Sequence, residues 1–360
     1  MMKVGVIGCG NIAGAYFENA QRMPAIEMVA CADLDHAKAE AKAEAYGVRA
    51  VSVEDLLADP SVDIVLNITV PGAHFDVSKA ALNAGKHVYN EKPLTVSRED
   101  GAALMALADQ KGLRVGCAPD TFLGAGYQTV RKIIESGAIG DPVSVTAFML
   151  CPGHESWHPN PFFYYDHGGG PMFDMGPYYL TALVHLLGPV KRVTGTTSAA
   201  QERRLVTSQP CAGQYAEVKV PTHVQGLMEF ESGAVGSIVT SFDVQQHTMP
   251  HIQIYGTKGT LTCPDPNGFG GPIQLWNGTW SEAPLEFPNE GNSRSLGIAD
   301  MADAIEKGRA HRASGALAFH VLDIMHAFHD SASTGQHVAL NGSGVQPAPM
   351  PAGLGDGEVG

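Results

Sequence analysis

Three stretches of this chain hold residue types whose spacing could do chemistry. The first is MMKVGVIGCGNIAG, Met1 to Gly14. Gly8 and Gly10 fill the first two positions of a G-x-G-x-x-G/A pattern, and Ala13 fills the third. The first glycine permits a tight turn, the second lets a pyrophosphate approach the backbone, and a small third residue lets helix and strand pack closely. Gly8, Gly10, Asn11 and Ile12 then stand at a helix start, where free N–H groups suit an anion. Asp33 ends the next apolar run and is placed to accept bonds from ribose hydroxyls. Leu34 and Asp35 follow it with no arginine, so a 2′-phosphate would be repelled and NAD is expected over NADP. The second stretch is NEKP, Asn90 to Pro93, which sets Glu91 and Lys92 side by side after a buried strand. A lysine there could polarise a carbonyl or donate to a hydroxyl, although by spacing alone a solvated turn fits better. The third is Cys151–Gly170, dense in proline, aromatics and histidine. Its Trp157 and His158 would offer a substrate an aromatic face with nearby donors; packing onto the rest of the second half is the alternative.

These stretches need elements to hold them. Lys3–Ile7, Ile26–Ala32, Val62–Thr69, Lys86–Asn90 and Leu113–Cys117 read as buried strands, and helical segments separate them. Strict alternation means a doubly wound parallel sheet with right-handed crossovers, here residues 1–120. Three loops then leave the carboxyl ends of the strands carrying polar groups: Thr69–His74, Asn90–Pro93 and Asp120–Phe122. Beyond residue 120 the period changes. A helix is expected over Met172–Leu187, and hairpins over Thr222–Asp243 and Ile252–Cys263. Residues 121–340 therefore read as an α+β domain with an open, mainly antiparallel sheet for substrate binding and oligomerisation. Its late helices, within 296–331, could pack back on the first domain. Residues 341–360, rich in Gly and Pro, are expected to be mobile.

Composition narrows the function. Of 360 residues 44% are hydrophobic and 17% charged, ordinary for a globular protein, and the length favours two domains. A net charge of −14 argues against nucleic acid and anionic membranes as partners. No apolar run approaches a membrane span, and the first strand begins too early for a signal peptide. Six scattered cysteines without a C-x-x-C pair fit a cytoplasmic protein and argue against structural zinc. No H-E-x-x-H spacing appears, so no metal is expected.

The series VGVIGCGNIAG, VACADLD, NEKPL and GGGPMFDMGPYYL, in that order, resembles the Gfo/Idh/MocA family over nearly the whole chain. The resemblance implies a Rossmann domain followed by an α/β domain, a homodimer or homotetramer, and NAD(P)-dependent oxidation or reduction of a sugar or cyclitol. Carried over by position, it makes Lys92 the catalytic lysine, with Glu91 and Pro93 shaping its loop. It places Thr69, Pro71, His74, Glu91 and Lys92 around the cofactor. Asp174 would touch substrate and orient the proton carrier. The family pattern D-x-G-x-H ends here on Tyr178 instead of histidine. Asp174 and Tyr178 are i and i+4, on one helix face. Tyr178 is then the expected acid–base, its pKa brought down by Lys92; otherwise Asp174 or His158 would move the proton. Two other classes share this fold: a non-catalytic dinucleotide sensor, and a redox-neutral glycoside-cleaving enzyme with tightly bound NAD.

Overall fold

A computed structural model describes residues 1–340 and 346–360. The first half runs β1 (Met2–Ile7), α1 (Ala13–Ala20), β2 (Ile26–Ala32), α2 (His36–Tyr46), β3 (Arg49–Ala50), α3 (Val53–Ala58), β4 (Ile64–Asn67), α4 (His74–Asn83), β5 (His87–Asn90), α5 (Arg98–Lys111) and β6 (Val115–Cys117). Its six strands are parallel in the order β3-β2-β1-β4-β5-β6. β4 is buried at every residue, as a strand covered on both faces must be. The order reverses at β1, which opens a crevice outside the carboxyl ends of the strands. β3 is too short for a periodicity argument to find.

β4 and β5 end on a matched pair, Asn67 opposite Asn90, both fully buried. Ser78 of α4 joins them, donating to Asn90 Oδ1 (2.7 Å) and accepting from Asn67 Nδ2 (3.0 Å). Buried amides need such partners. The result fixes where the two following loops leave the sheet.

The second half continues with α6 (Ala125–Glu135), β7 (Pro142–Leu150), α7 (Gly170–Asp174), α8 (Gly176–Leu187), β8 (Val190–Ser198), β9 (Arg203–Leu205), β10 (Tyr215–Glu217), β11 (His223–Phe230), β12 (Val235–Ser241), β13 (Ile252–Gly256), β14 (Thr260–Cys263), β15 (Ile273–Trp276), β16 (Trp280–Ala283), α9 (Leu296–Lys307), α10 (Gly315–Thr334) and β17 (Val338–Ala339). Nine strands form one sheet, β16-β15-β14-β13-β7-β12-β11-β8-β17, antiparallel except for the β12–β7 pair. β8 and β11 lie against α10, with Gly195 and Gly226 making room for Phe328. The alternation along β11 leaves Leu227 exposed between buried neighbours. α10 also packs on the first half, where Phe319 and Leu322 meet Gly101 of α5.

Two expectations change. The helix expected over Met172–Leu187 is broken at Met175 into α7 and α8. Pro177 has no N–H to continue the ladder, and its ring crowds the preceding turn. The tail expected to be mobile is packed over 346–360; residues 341–345 lie outside the described residues. Met350 and Val359 are buried, and Met350 N donates to Gln128 Oε1 (2.7 Å). Arg312 reaches Val359 O (3.0 Å), and Gly357 N donates to Asn289 Oδ1 (2.9 Å).

Candidate active site

The turn after β1 has the shape a dinucleotide needs. Gly8 has φ +106°, and a Cβ there would stand 2.7 Å from Ile68 O, so no side chain fits. Gly10 is exposed, with open space where a Cβ would point. Asn11 is exposed and Ile12 half-buried just before α1. Asp33 is fastened to this turn: Oδ2 accepts from Cys9 N (2.7 Å) and Oδ1 from Asp35 N (2.9 Å). A carboxylate has about four acceptor positions, so capacity for hydroxyls remains. Leu34 beside it is fully exposed and carries no charge. These residues fit a bound nicotinamide dinucleotide.

Across the crevice five side chains converge from separate elements. Lys92 follows β5, its peptide to Pro93 cis. Its Nζ donates to Asp174 Oδ1 (2.8 Å) and to the Asp174 carbonyl (2.5 Å). That carbonyl is free because Tyr178 N bonds Met175 O instead (3.1 Å), where the chain passes from α7 to α8. Lys92 Nζ also stands 5.4 Å from the centre of the Tyr178 ring. Asp174 Oδ2 meets His154 Nε2 at 3.2 Å. Arg294, just before α9, points Nη2 at the Tyr178 hydroxyl, 3.4 Å away.

Electrostatics follow from these contacts. Burial alone would raise the Asp174 carboxyl, but Lys92 and His154 overcome it and hold the group down at about 2. Burial also disfavours the Lys92 ammonium, yet Asp174 and Tyr178 keep it above its ordinary value. Tyr178 goes the other way from expectation. Burial raises the phenol, and the pull of Lys92 and Arg294 does not cancel it. The residue is therefore a neutral phenol at rest, contrary to the expected lowering by Lys92.

The remaining expected residues divide into two sets. His74 is wholly buried, its ring between the Pro93 carbonyl (Nδ1, 2.7 Å) and the Thr69 carbonyl (Nε2, 3.1 Å). It braces the two loops from inside, where it had been expected to line the cofactor. Glu91 accepts from Tyr16 OH (2.7 Å) and from the Lys92 amide (2.8 Å), so it too is tied inward. Thr69 Oγ1 donates to Asn67 Oδ1 (2.7 Å), and Pro71 begins a single 3₁₀ turn. In the long loop, Trp157 is exposed, edge-on to His154 and His158. His158 accepts from Asn160 N and packs on Phe163 and Tyr164. The histidine that reaches Asp174 is His154, boxed by Tyr164 and Phe242. The loop is pinned by buried Arg204 of β9, which binds Glu155 Oε1 (2.7 Å), Pro152 O (3.0 Å) and Asp243.

Comparison with known proteins matches residues 2–118 to the oxidoreductase family with the NAD-binding Rossmann fold, GFO/IDH/MocA, and residues 127–262 to the GFO/IDH/MocA C-terminal domain. The chain belongs to the Gfo/Idh/MocA oxidoreductase family. It is 35% identical to the dTDP-3,4-didehydro-2,6-dideoxy-alpha-D-glucose 3-reductase of Saccharopolyspora spinosa, over 72% of this chain and 74% of that one. It is 28% identical to the D-xylose 1-dehydrogenase (NADP(+)) 2 of Haloferax volcanii, over 94% of this chain and all of that one. A solved NAD binding oxidoreductase from Klebsiella pneumoniae shares the fold at a TM-score of 0.83, with 23% identity, covering 94% of this chain and 98% of that one. As a Gfo/Idh/MocA protein it is an NAD(P)-dependent oxidoreductase. Among the described residues no helix is long and apolar enough to cross a membrane, and no group of three or more His, Cys, Asp or Glu could hold a metal ion.

Proposed function

We propose that this chain interconverts a hydroxyl and a ketone on a neutral sugar, sugar derivative or cyclitol, with NAD preferred over NADP. The observation that carries the reading is the meeting of Lys92, Asp174 and Tyr178 beside the carboxyl ends of β4 and β5. The two curated relatives named above act on sugars by their names, which supports the substrate class. The cations present are matched by anions, Lys92 by Asp174 (2.8 Å) and Arg294 by Glu91 (3.8 Å), which suits an uncharged substrate. Trp157 gives the open side an apolar face for a sugar ring.

A bound nicotinamide supplies or takes the hydride. Lys92 holds the reacting oxygen as a hydrogen-bond donor, worth most while that oxygen carries negative charge. Tyr178 gives its proton to that oxygen when a carbonyl is reduced, and takes it back when an alcohol is oxidised. Asp174 keeps the Lys92 ammonium aimed. Because the resting phenol is neutral, reduction suits neutral pH and oxidation gains as pH rises. The active assembly in this reading is a homodimer or homotetramer that covers the sheet face around Leu227 and Val235, both exposed. The test is a screen of sugars, cyclitols and keto-sugars with both cofactors, followed by reduced-nicotinamide absorbance. Turnover of acidic substrates alone, or of none with either cofactor, would overturn the reading.

A further inference from the structure

The reading of Tyr178 as proton carrier leaves a question of charge, and the present inference rests on that reading. When a carbonyl is reduced, the Tyr178 O–H bond breaks, its proton goes to the substrate oxygen, and the electron pair stays behind as a phenolate. The accompanying hydride to carbon is the nicotinamide's. A phenolate on a side chain only 5% exposed needs a cation at its oxygen. Lys92 helps through space but not at the oxygen: its Nζ is bonded twice to Asp174 and stands 5.4 Å from the centre of the Tyr178 ring.

Arg294 is the cation at the oxygen. Its Nη2 lies 3.4 Å from the hydroxyl, and its side chain is 13% exposed. Its Nη1 has no hydrogen-bond partner among the described residues; the nearest anion, Glu91, is 3.8 Å away. The backbone around it is held in a disfavoured shape. Asn289 (φ 66°) and Ser295 (φ 91°), which bracket the loop, are the non-glycine residues with positive φ among the described residues. Three sets of bonds enforce that shape. Arg22, in the turn after α1, reaches Asn292 O (2.8 Å) and Ser293 Oγ (2.6 Å). Ser295 Oγ donates to Tyr16 O (2.9 Å), and Gly357 N bonds Asn289 Oδ1. Strain held by this many contacts belongs with a residue that must be placed.

We propose that Arg294 is the positioning residue of the proton carrier: its guanidinium stabilises the Tyr178 phenolate at its oxygen, sharing a task that sequence reading gives to Lys92 alone. Guanidinium suits this because it keeps its charge at every working pH. The other charged and titratable groups around the phenol are Lys92 and Glu91 from the loop after β5, Asp174 from α7 and Tyr164 from the long loop. Tyr16 of α1 and Asp120 of the loop after β6 lie next to Arg294.

The test follows Tyr178 directly. Protein labelled with 3-fluorotyrosine gives a fluorine resonance for Tyr178, assigned by its loss in Tyr178→Phe, and its midpoint is read against pH. Arg294→Met is expected to move that midpoint up by about one pH unit or more, Arg294→Gln by a similar amount, and Arg294→Lys by less. Turnover supplies the second arm. Arg294→Met should lower kcat roughly tenfold in the wild-type background and add little in the Tyr178→Phe background, because both act through one hydroxyl. An unmoved midpoint in the folded Gln and Met variants, or equal losses in both backgrounds, overturns the proposal while Tyr178 keeps its role. Wild-type turnover by Tyr178→Phe overturns the reading of Tyr178 itself, and the proposal with it.

Discussion

Arg204 and Arg294 are both withdrawn from solvent, with side chains 3% and 13% exposed, yet they are partnered differently. Arg204 gives hydrogen bonds to two carboxylates, those of Glu155 and Asp243, and to two carbonyls, those of Pro152 and Phe242. Arg294 has one long contact to a phenol and one distant anion. A guanidinium whose two terminal nitrogens are spent on its own fold fixes a loop. One that is held in place with donors to spare can respond when charge forms next to it. The difference separates a fastening from a participant better than burial does.

The largest effect should come from the fastening. Arg204→Met leaves Glu155 and Asp243 without their cation and is expected to cost about 3–5 kcal/mol of stability. Urea unfolding measures it, and the loosened loop should also raise KM. A midpoint like that of wild type would erase the contrast with Arg294. Next comes Lys92→Met, which removes the donor to the reacting oxygen. It should lower kcat by roughly 100-fold or more, about 2.7 kcal/mol of barrier. Dinucleotide affinity by calorimetry should hold, since the turn at Gly8 is untouched; near-normal turnover would place the chemistry elsewhere.

Asp33 asks whether a partnered group can still serve a ligand. It accepts two internal amides, yet it is expected to choose the cofactor. Asp33→Ser with Leu34→Arg should swing preference toward NADP by roughly tenfold, about 1.4 kcal/mol. A wild-type enzyme that prefers NADP would refute the assignment. The smallest effect concerns His185, an orphan away from the site, whose Nδ1 has no partner among the described residues. Burial first, then Arg131 and Arg312, holds it down at about 3, against an ordinary 6.5. The unfolded chain therefore binds this proton first, so stability declines as pH falls below about 6.5. The single-group effect is about 0.7 kcal/mol between pH 7 and 6. Thermal melts of His185→Gln should show a shallower decline than wild type, at unchanged kcat. A wild-type slope in that variant would mean that the orphan nitrogen contributes nothing.

Much of this was legible in the residues because the signals are local. Strand, glycine turn and helix sit within fourteen residues, and NEKP reports its place by following a buried strand directly. The hidden parts arrive through space. Arg294 reaches Tyr178 across 116 positions of sequence, and His154 was one of several histidines in its loop until the fold turned it to Asp174. The direction of the Tyr178 shift was hidden for a related reason: the nearby lysine could be named, but the burial that outweighs it comes from packing. The helix break was local and readable, since Pro177 stands in the expected ladder; apolar periodicity on both sides concealed it.

That break has a consequence for what mutation can reach. Half of the hold on Lys92 is a side chain, the Asp174 carboxylate, and any codon change there can weaken or remove it. The other half is a main-chain oxygen, which every amino acid carries. It is available because the Tyr178 amide, which an unbroken helix would aim at it, bonds Met175 O instead. Replacing Asp174 with another residue would leave this second grip in place. Running the two helices into one continuous ladder would return that oxygen to the Tyr178 amide and take it away without altering any side chain in the crevice. The lysine's aim is thus written partly in the path of the main chain between α7 and α8, and a drifting sequence could retune the enzyme there while its crevice side chains stay the same.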